Sequence, residues 1–140
     1  MAGTLHRASD RAAPLHAILL AGMVPLFLGT LFSDLAYSSS YEVQWKNFAS
    51  WLLVGALFFG GLALLWALID LARGDRRNRR AMLYVLLLLA AWILGFVNAL
   101  VHARDAWASM PAALILSIIV AGLAIAAAWL GLSQRRETAR

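Results

Sequence analysis

Four stretches of the chain, Leu15 to Ser33, Asn47 to Ile69, Ala81 to Val101 and Ala106 to Gln134, carry no formally charged residue. Each is close to or beyond the roughly 20 apolar residues with which an α-helix crosses the ~30 Å hydrocarbon core of a bilayer. Inside hydrocarbon the backbone finds no water to bond, and a helix keeps its own donors and acceptors paired. The runs therefore predict an all-α fold: an integral membrane four-helix transmembrane bundle. The spans fall at about residues 15–37, 48–71, 81–102 and 111–133 of a single membrane domain, 1–140, with flexible tails at 1–13 and 134–140. Composition agrees, because 63% hydrophobic residues against 14% charged is too apolar for a soluble chain of 140 residues.

A cleavable signal peptide is the rival for the first run. The lead-in up to Pro14 is long and mixed in charge, and Ser33-Asp34-Leu35 sets a charge where cleavage would fall. The run is read as a retained helix. Cysteine is absent, which removes disulfides, thiolate metal sites and cysteine nucleophiles from consideration.

Basic residues then orient the bundle. Arg7 and Arg11 precede the first span; Arg73, Arg76, Arg77, Arg79 and Arg80 fill the second connection; Arg135, Arg136 and Arg140 follow the last span. Lys46 and Arg104 fall on the other side. The positive-inside rule places both termini in the cytoplasm of a multi-pass membrane protein. The net charge of +5 suits anionic lipid headgroups, so no nucleic-acid partner is expected.

The outer face is built from "DLAYSSSYEVQWKNFASW" and "VHARDAWASMP". Tyr37, Tyr41, Trp45, Trp51 and Trp107 form an aromatic belt at headgroup level. Trp45, Lys46, Arg104, Asp105 and Trp107 are also the candidates for docking a partner, since aromatic and Arg side chains anchor interfaces.

Ionisable groups near a span are expensive and so informative. Asp34 lies about one turn inside the outer end of the first span, within reach of Arg104 or His102. Asp70 closes the second span near Arg73, where His16 could approach. Both sets read as polar pairs that fix how helices meet. Asn98 and His102 share a face at i, i+4; with Asp34 they form the candidate cofactor site, for quinone or haem. His16 and His102 start and end spans on opposite sides, so they cannot share one iron. No metal site is expected, for want of three or four convergent ligands. No catalytic residue is assigned: neither Ser33 beside Asp34 nor Ser109 near His102 has an oxyanion-stabilising surround, so the chain is not expected to be an enzyme.

Small residues at i, i+4, namely Ala56 with Gly60, Ser117 with Ala121, Gly122 with Ala126 and Ala127 with Gly131, let backbones approach. They suggest that the second and fourth spans pack together, or that one of them is a face for homo-oligomers. Pro25, between Gly22 and Gly29, should bend the first span; a bend that opens a cavity is the basis of a third alternative, a small-molecule transporter.

The segments "LHAILLAGMVPLFLGTLFSDLAY", "YEVQWKNFASWLLVGALFFGGLALLWALIDL" and "GFVNALVHARDAWASMP" resemble a bacterial four-helix inner-membrane family, domain of unknown function 2231. The likeness covers Leu15 to Leu132. It rests on the His opening the first span, the Pro within it, the "SD" near its end and the "LID" closing the second. Relatives often carry a second histidine and a Phe-Pro soon after the first; here that region reads Leu20-Ala21-Gly22, with the proline at Pro25. The resemblance implies association with periplasmic sugar dehydrogenases that use pyrroloquinoline quinone. Two readings follow: a non-enzymatic anchor or docking subunit for such a periplasmic partner, and an electron-transfer subunit holding quinone or haem at His102, Asn98 and Asp34.

Overall fold

The computed structural model describes the backbone of residues 2–74 and 78–138, and the side chains of residues 14–74 and 78–137. Arg76, Arg77 and Arg140, and the side chains of His6, Arg7 and Arg11, lie outside the described residues. Four long helices and one short one make up this part of the chain: α1 (Ala2–Ser40), α2 (Val43–Arg73), α3 (Arg79–His102), α4 (Ala106–Ser109) and α5 (Ala112–Thr138). Each long helix contains a stretch apolar and long enough to cross a membrane: Pro14–Ser40, Val43–Arg73, Arg79–His102 and Ala112–Glu137.

The helices outrun the expected spans. α1 starts at Ala2 and α5 reaches Thr138, where flexible tails were expected at 1–13 and from 134. Ala, Leu, Arg, Gln and Glu favour helix strongly enough to carry it beyond the apolar stretch. Ser38, Ser39 and Ser40, just beyond the expected span, are the last turn of α1. Their hydroxyls donate back to the carbonyls of Leu35 and Ala36 at 2.7–3.0 Å, which supplies acceptors at a helix end with partners. Tyr41 then stops the helix in the left-handed region, φ 59°, and its N–H donates to the Tyr37 carbonyl at 2.7 Å. α2 ends in the usual way on Gly74, φ 76°. Asn78 caps α3 by accepting from the Ala81 N–H at 2.8 Å.

Packing runs around a ring: α1 against α2, α2 against α3, α3 against α5, and α5 against α1. α2 and α5 are therefore diagonal, and the close second-to-fourth span pairing expected from small residues is not formed. Those residues serve other neighbours. A Cβ on Gly60 would meet the Met23 side chain at 3.1 Å, and one on Gly131 would meet the Tyr84 ring at 2.7 Å. Ser117 and Ala121 also face inward. Only the Gly122 and Ala126 pair looks outward, with nothing within 4 Å of a Cβ on Gly122. Along the bundle axis Leu20, Met23, Phe27, Leu53, Leu88 and Val120 form a dry centre. Phe32, Phe58, Leu86 and Ile118 stay on the outside, as expected where lipid is the solvent. The arginines of α2, α3 and α5 gather at one end with His16; Arg80 forks onto Glu137 at 2.9–3.0 Å. His102 and Asp34 mark the other end.

Candidate functional site

Asp34 sits on α1 about two turns, or ~9 Å, short of its last residue. It is fully buried. A buried carboxyl group needs hydrogen-bond partners, and the fold supplies one to each oxygen from two other helices. His102, the last residue of α3, turns its ring back along the helix so that Nε2 meets Asp34 Oδ1 at 2.9 Å. Ser117, in the second turn of α5, donates its hydroxyl to Asp34 Oδ2 at 2.5 Å. Asn98, one turn before His102, donates its side-chain amide to Ser117 Oγ at 2.8 Å. The His102 Nδ1 contacts the Asn98 main-chain carbonyl at 3.0 Å. A carbonyl oxygen only accepts, so Nδ1 carries hydrogen. The resulting chain, Asn98 to Ser117 to Asp34 with His102 closing it, ties α1, α3 and α5 at one depth.

The three residues expected as a cofactor site are thus brought together, and Ser117, read from the sequence only as a small packing residue, completes them. One acceptor is left over. Asn98 Oδ1 is buried without a hydrogen-bond partner, so the cluster has room in its bonding for one more donor.

Arg104 is not a partner of Asp34: its side chain is exposed, and the two carboxyl oxygens are met by His102 and Ser117 instead. Its main-chain carbonyl accepts instead from Lys46 Nζ. Lys46 itself, expected as an exposed docking residue, is 8% exposed. Its stem lies in the bundle and its ammonium closes the connection between α3 and α4, so it is unavailable to a partner. Trp45, Asp105 and Trp107 are exposed as expected, Trp107 at 81%. Trp107 stacks on Tyr41 with centroids 5.6 Å apart and planes 17° apart, and Tyr41 meets the buried Tyr37 edge to face at 6.1 Å. This aromatic ladder begins one turn beyond Asp34 on α1, at the same end of the bundle as the polar cluster.

The pair expected between His16 and Asp70 is replaced by another. His16 is buried, bonds through Nε2 to the Tyr84 hydroxyl, and lies edge-on to Trp66 at 6.2 Å; Asp70 stays exposed. Both the His16–Tyr84 and the Asp34–His102 contacts span 68 positions of the chain. His16 therefore precedes Asp34 by the same distance as Tyr84 precedes His102, five turns or about 27 Å. The two diagonal helices are tied at two levels whose spacing is close to the ~30 Å of hydrocarbon.

Between α2 and α3, near the His102 end, lies a cleft of about 160 Å³ lined by Ser50, Leu53, Val54, Ala99, His102 and Ala103. Its walls are mostly apolar. Haem does not fit at His102 in this arrangement, since both ring nitrogens are engaged, one by a main-chain carbonyl and one by Asp34, and iron would need one of them free. Among the described residues no group of three or more His, Cys, Asp or Glu is gathered as for a metal ion.

A family model described as a predicted membrane protein, DUF2231, matches residues 12–137. Neither a curated protein nor a solved structure matches the chain.

Proposed function

The chain belongs to the DUF2231 family of predicted membrane proteins, whose model spans all four of its long helices, and from that premise we propose that it is a non-catalytic, membrane-embedded subunit whose His102 end docks a partner outside a bacterial inner membrane. One observation carries this reading. Tyr41 and Trp107, from two different connections, form a parallel stack that is itself exposed, with the exposed Arg104 and Asp105 beside it. A ring serving only as a lipid anchor has no need of such a partner, whereas a rigid aromatic platform rimmed by charges is the usual build of an interface anchor. The arginine-rich end supports an orientation in which the platform faces the periplasm. A periplasmic dehydrogenase carrying pyrroloquinoline quinone is the partner that the resemblance in sequence suggests.

The test is co-purification from native membranes. Arg104→Ala and Trp107→Ala, which leave the buried cluster untouched, are expected to lower recovery of the partner at least tenfold while the bundle keeps its melting temperature within a few degrees. Undiminished recovery with both variants would remove this platform as the docking surface.

A second reading has the cleft between α2 and α3 in its favour. It is open on the flank of the bundle, apolar, and has an imidazole in one wall, which suits a lipid-soluble quinone ring. Ser50 and His102 would supply the polar contact, and His102 would have to yield one of its present hydrogen bonds. Replacing Val54 with Trp would fill the cleft; loss of protein-retained quinone in Val54→Trp, with unchanged retention in Trp107→Ala, would favour it.

A further inference from the structure

The Asp34–His102 pair has a proton inventory that can be counted. Nδ1 holds its hydrogen because its partner is a carbonyl oxygen. Oδ2 receives the Ser117 hydroxyl hydrogen. A contact of 2.9 Å between Nε2 and Oδ1 requires one further proton between them, for without it two lone pairs would face each other. With that proton the pair is neutral as a unit, whether it is written as imidazolium and carboxylate or as imidazole and carboxylic acid. From the hydrogen bonds alone, we infer that Asp34 and His102 form a dissociable proton-binding site that cycles between one shared proton and none.

The surroundings decide which way the site can move. The buried cation at this level is Lys46 of α2, whose ammonium bonds the main-chain carbonyl of Arg104, two residues past His102. Gaining a second proton would make the pair cationic beside Lys46, a like-charge arrangement in a low-dielectric setting. Losing the shared proton leaves a single negative charge beside Lys46, which compensates it. The remaining titratable groups at this end are Tyr37 of α1, buried above Asp34, the exposed Tyr41 and Glu42 of the connection before α2, and the exposed Arg104 and Asp105 of the connection before α4. α5 brings only the Ser117 hydroxyl, and α3 only the Asn98 amide besides His102 itself. Ser117 and Asn98 hold the carboxyl group in place through both states, because neither has a proton to lose at ordinary pH.

The step is a plain dissociation: the bond from the shared proton to Nε2 or Oδ1 breaks, the electron pair stays on the site, and the proton leaves to water. It leaves by the near end, about two helical turns away. Toward the other end stand Met23, Phe27, Leu20 and Leu88, which offer it no partner. The His16–Tyr84 contact, about 27 Å off, is a separate unit, so the pair is a one-sided site and not part of a wire across the bundle. Proton loss also removes the attraction between Nε2 and Oδ1, so the tie between α1 and α3 loosens in the same event.

The experiment uses the full chain in lipid nanodiscs with ¹⁵N-labelled histidine side chains, followed by NMR from about pH 4 to about pH 10, a range that brackets ordinary histidine titration. His16→Gln and His6→Gln assign the His102 signals. The expected result is one step at His102, with Nδ1 protonated on both sides of it and the coupling across Nε2 lost above it. Lys46→Met, with the compensating charge gone, is expected to carry the step to higher pH by at least tenfold in proton concentration; Asp34→Asn is expected to abolish it. A His102 spectrum that does not change anywhere in the range, in wild type and in Lys46→Met, would overturn the site in favour of a fixed ion pair. So would a step in which Nδ1 is the nitrogen that loses its proton. A step that stays put in Lys46→Met would overturn the one-to-none cycle.

Discussion

At the scale of single residues, Asp34 is the side chain whose replacement most sharply separates charge from hydrogen bonding. Asparagine at this position keeps an acceptor for the Ser117 hydroxyl and brings an N–H for the bare Nε2 of a neutral imidazole. Asp34→Asn is therefore expected to cost about 1 kcal/mol, the worth of a typical hydrogen bond. Leucine removes both acceptors and leaves the His102 Nε2 buried and unanswered, at a cost of about 3–5 kcal/mol, as for a broken buried pair. Thermal unfolding of the two variants in the same detergent checks the order; equal losses would mean that the carboxyl group acts only through its charge. Asp34, His102 and Asn98 were legible as a set because a charge in an apolar run is conspicuous and because Asn98 and His102 share a helix face. Ser117 was not, since a hydroxyl in a membrane helix can always bond its own backbone, as Thr30 and Ser33 do at 2.9 and 2.7 Å. Which serine instead reaches across to another helix depends on which helices are neighbours. Lys46 misled for a related reason: a lysine at a rim reads as solvated, and its long stem hides the fact that the head can fold inward onto a carbonyl.

Helices and their ends carry the next set of consequences. The four crossings were readable from the sequence because uncharged length is set by the bilayer itself. Their ends were not, because past the apolar stretch propensity and local side-chain bonds take over, as they do in the serine turn of α1. Tyr41 ends that turn in a conformation that costs a residue with a Cβ about 1–2 kcal/mol, offset by its stack on Trp107. Tyr41→Ala keeps the backbone cost and loses the stack; Tyr41→Gly loses the stack but sheds the backbone cost. The glycine variant is expected to be the more stable of the two by about 1 kcal/mol, read from paired melting curves, and the reverse order would mean that the turn is not held left-handed. A second pair of substitutions probes α5. Gly131→Ala would set a methyl group 2.7 Å from the Tyr84 ring, displacing it from His16, at about 1–3 kcal/mol for an overpacked site. Gly122→Ala meets nothing and gains about 0.8–1 kcal/mol of helix propensity. If Gly122→Ala instead destabilises, or shifts the mass of the particle in native mass spectrometry, the outward Gly122 and Ala126 face is covered by a second copy of the chain.

For the whole molecule, the two polar ties and the arginine-rich end make one object with a definite top and bottom. The diagonal helices α1 and α3 are pinned at two levels about 27 Å apart, close to the thickness of the hydrocarbon, and the apolar centre between the ties needs no polar group of its own. Such a bundle presents two different faces to water: basic residues around the His16 end, and an aromatic platform with a dissociable pair beneath it at the other. Which face looks out decides whether partner docking and proton release happen on the same side of the membrane as an external enzyme. Arginine counting predicts that the His102 end lies outside, and the absence of cysteine makes this directly testable. Asp105→Cys and Asn78→Cys each introduce a single thiol at an exposed position, at opposite ends of α3. In intact bacterial cells a membrane-impermeant maleimide is expected to label Asp105→Cys, and to label Asn78→Cys only after the membrane is opened. The inverse pattern would turn the platform and the Asp34–His102 pair toward the cytoplasm. A periplasmic partner would then be excluded, while the proton count at the pair, which rests on hydrogen bonds and not on orientation, would stand unchanged.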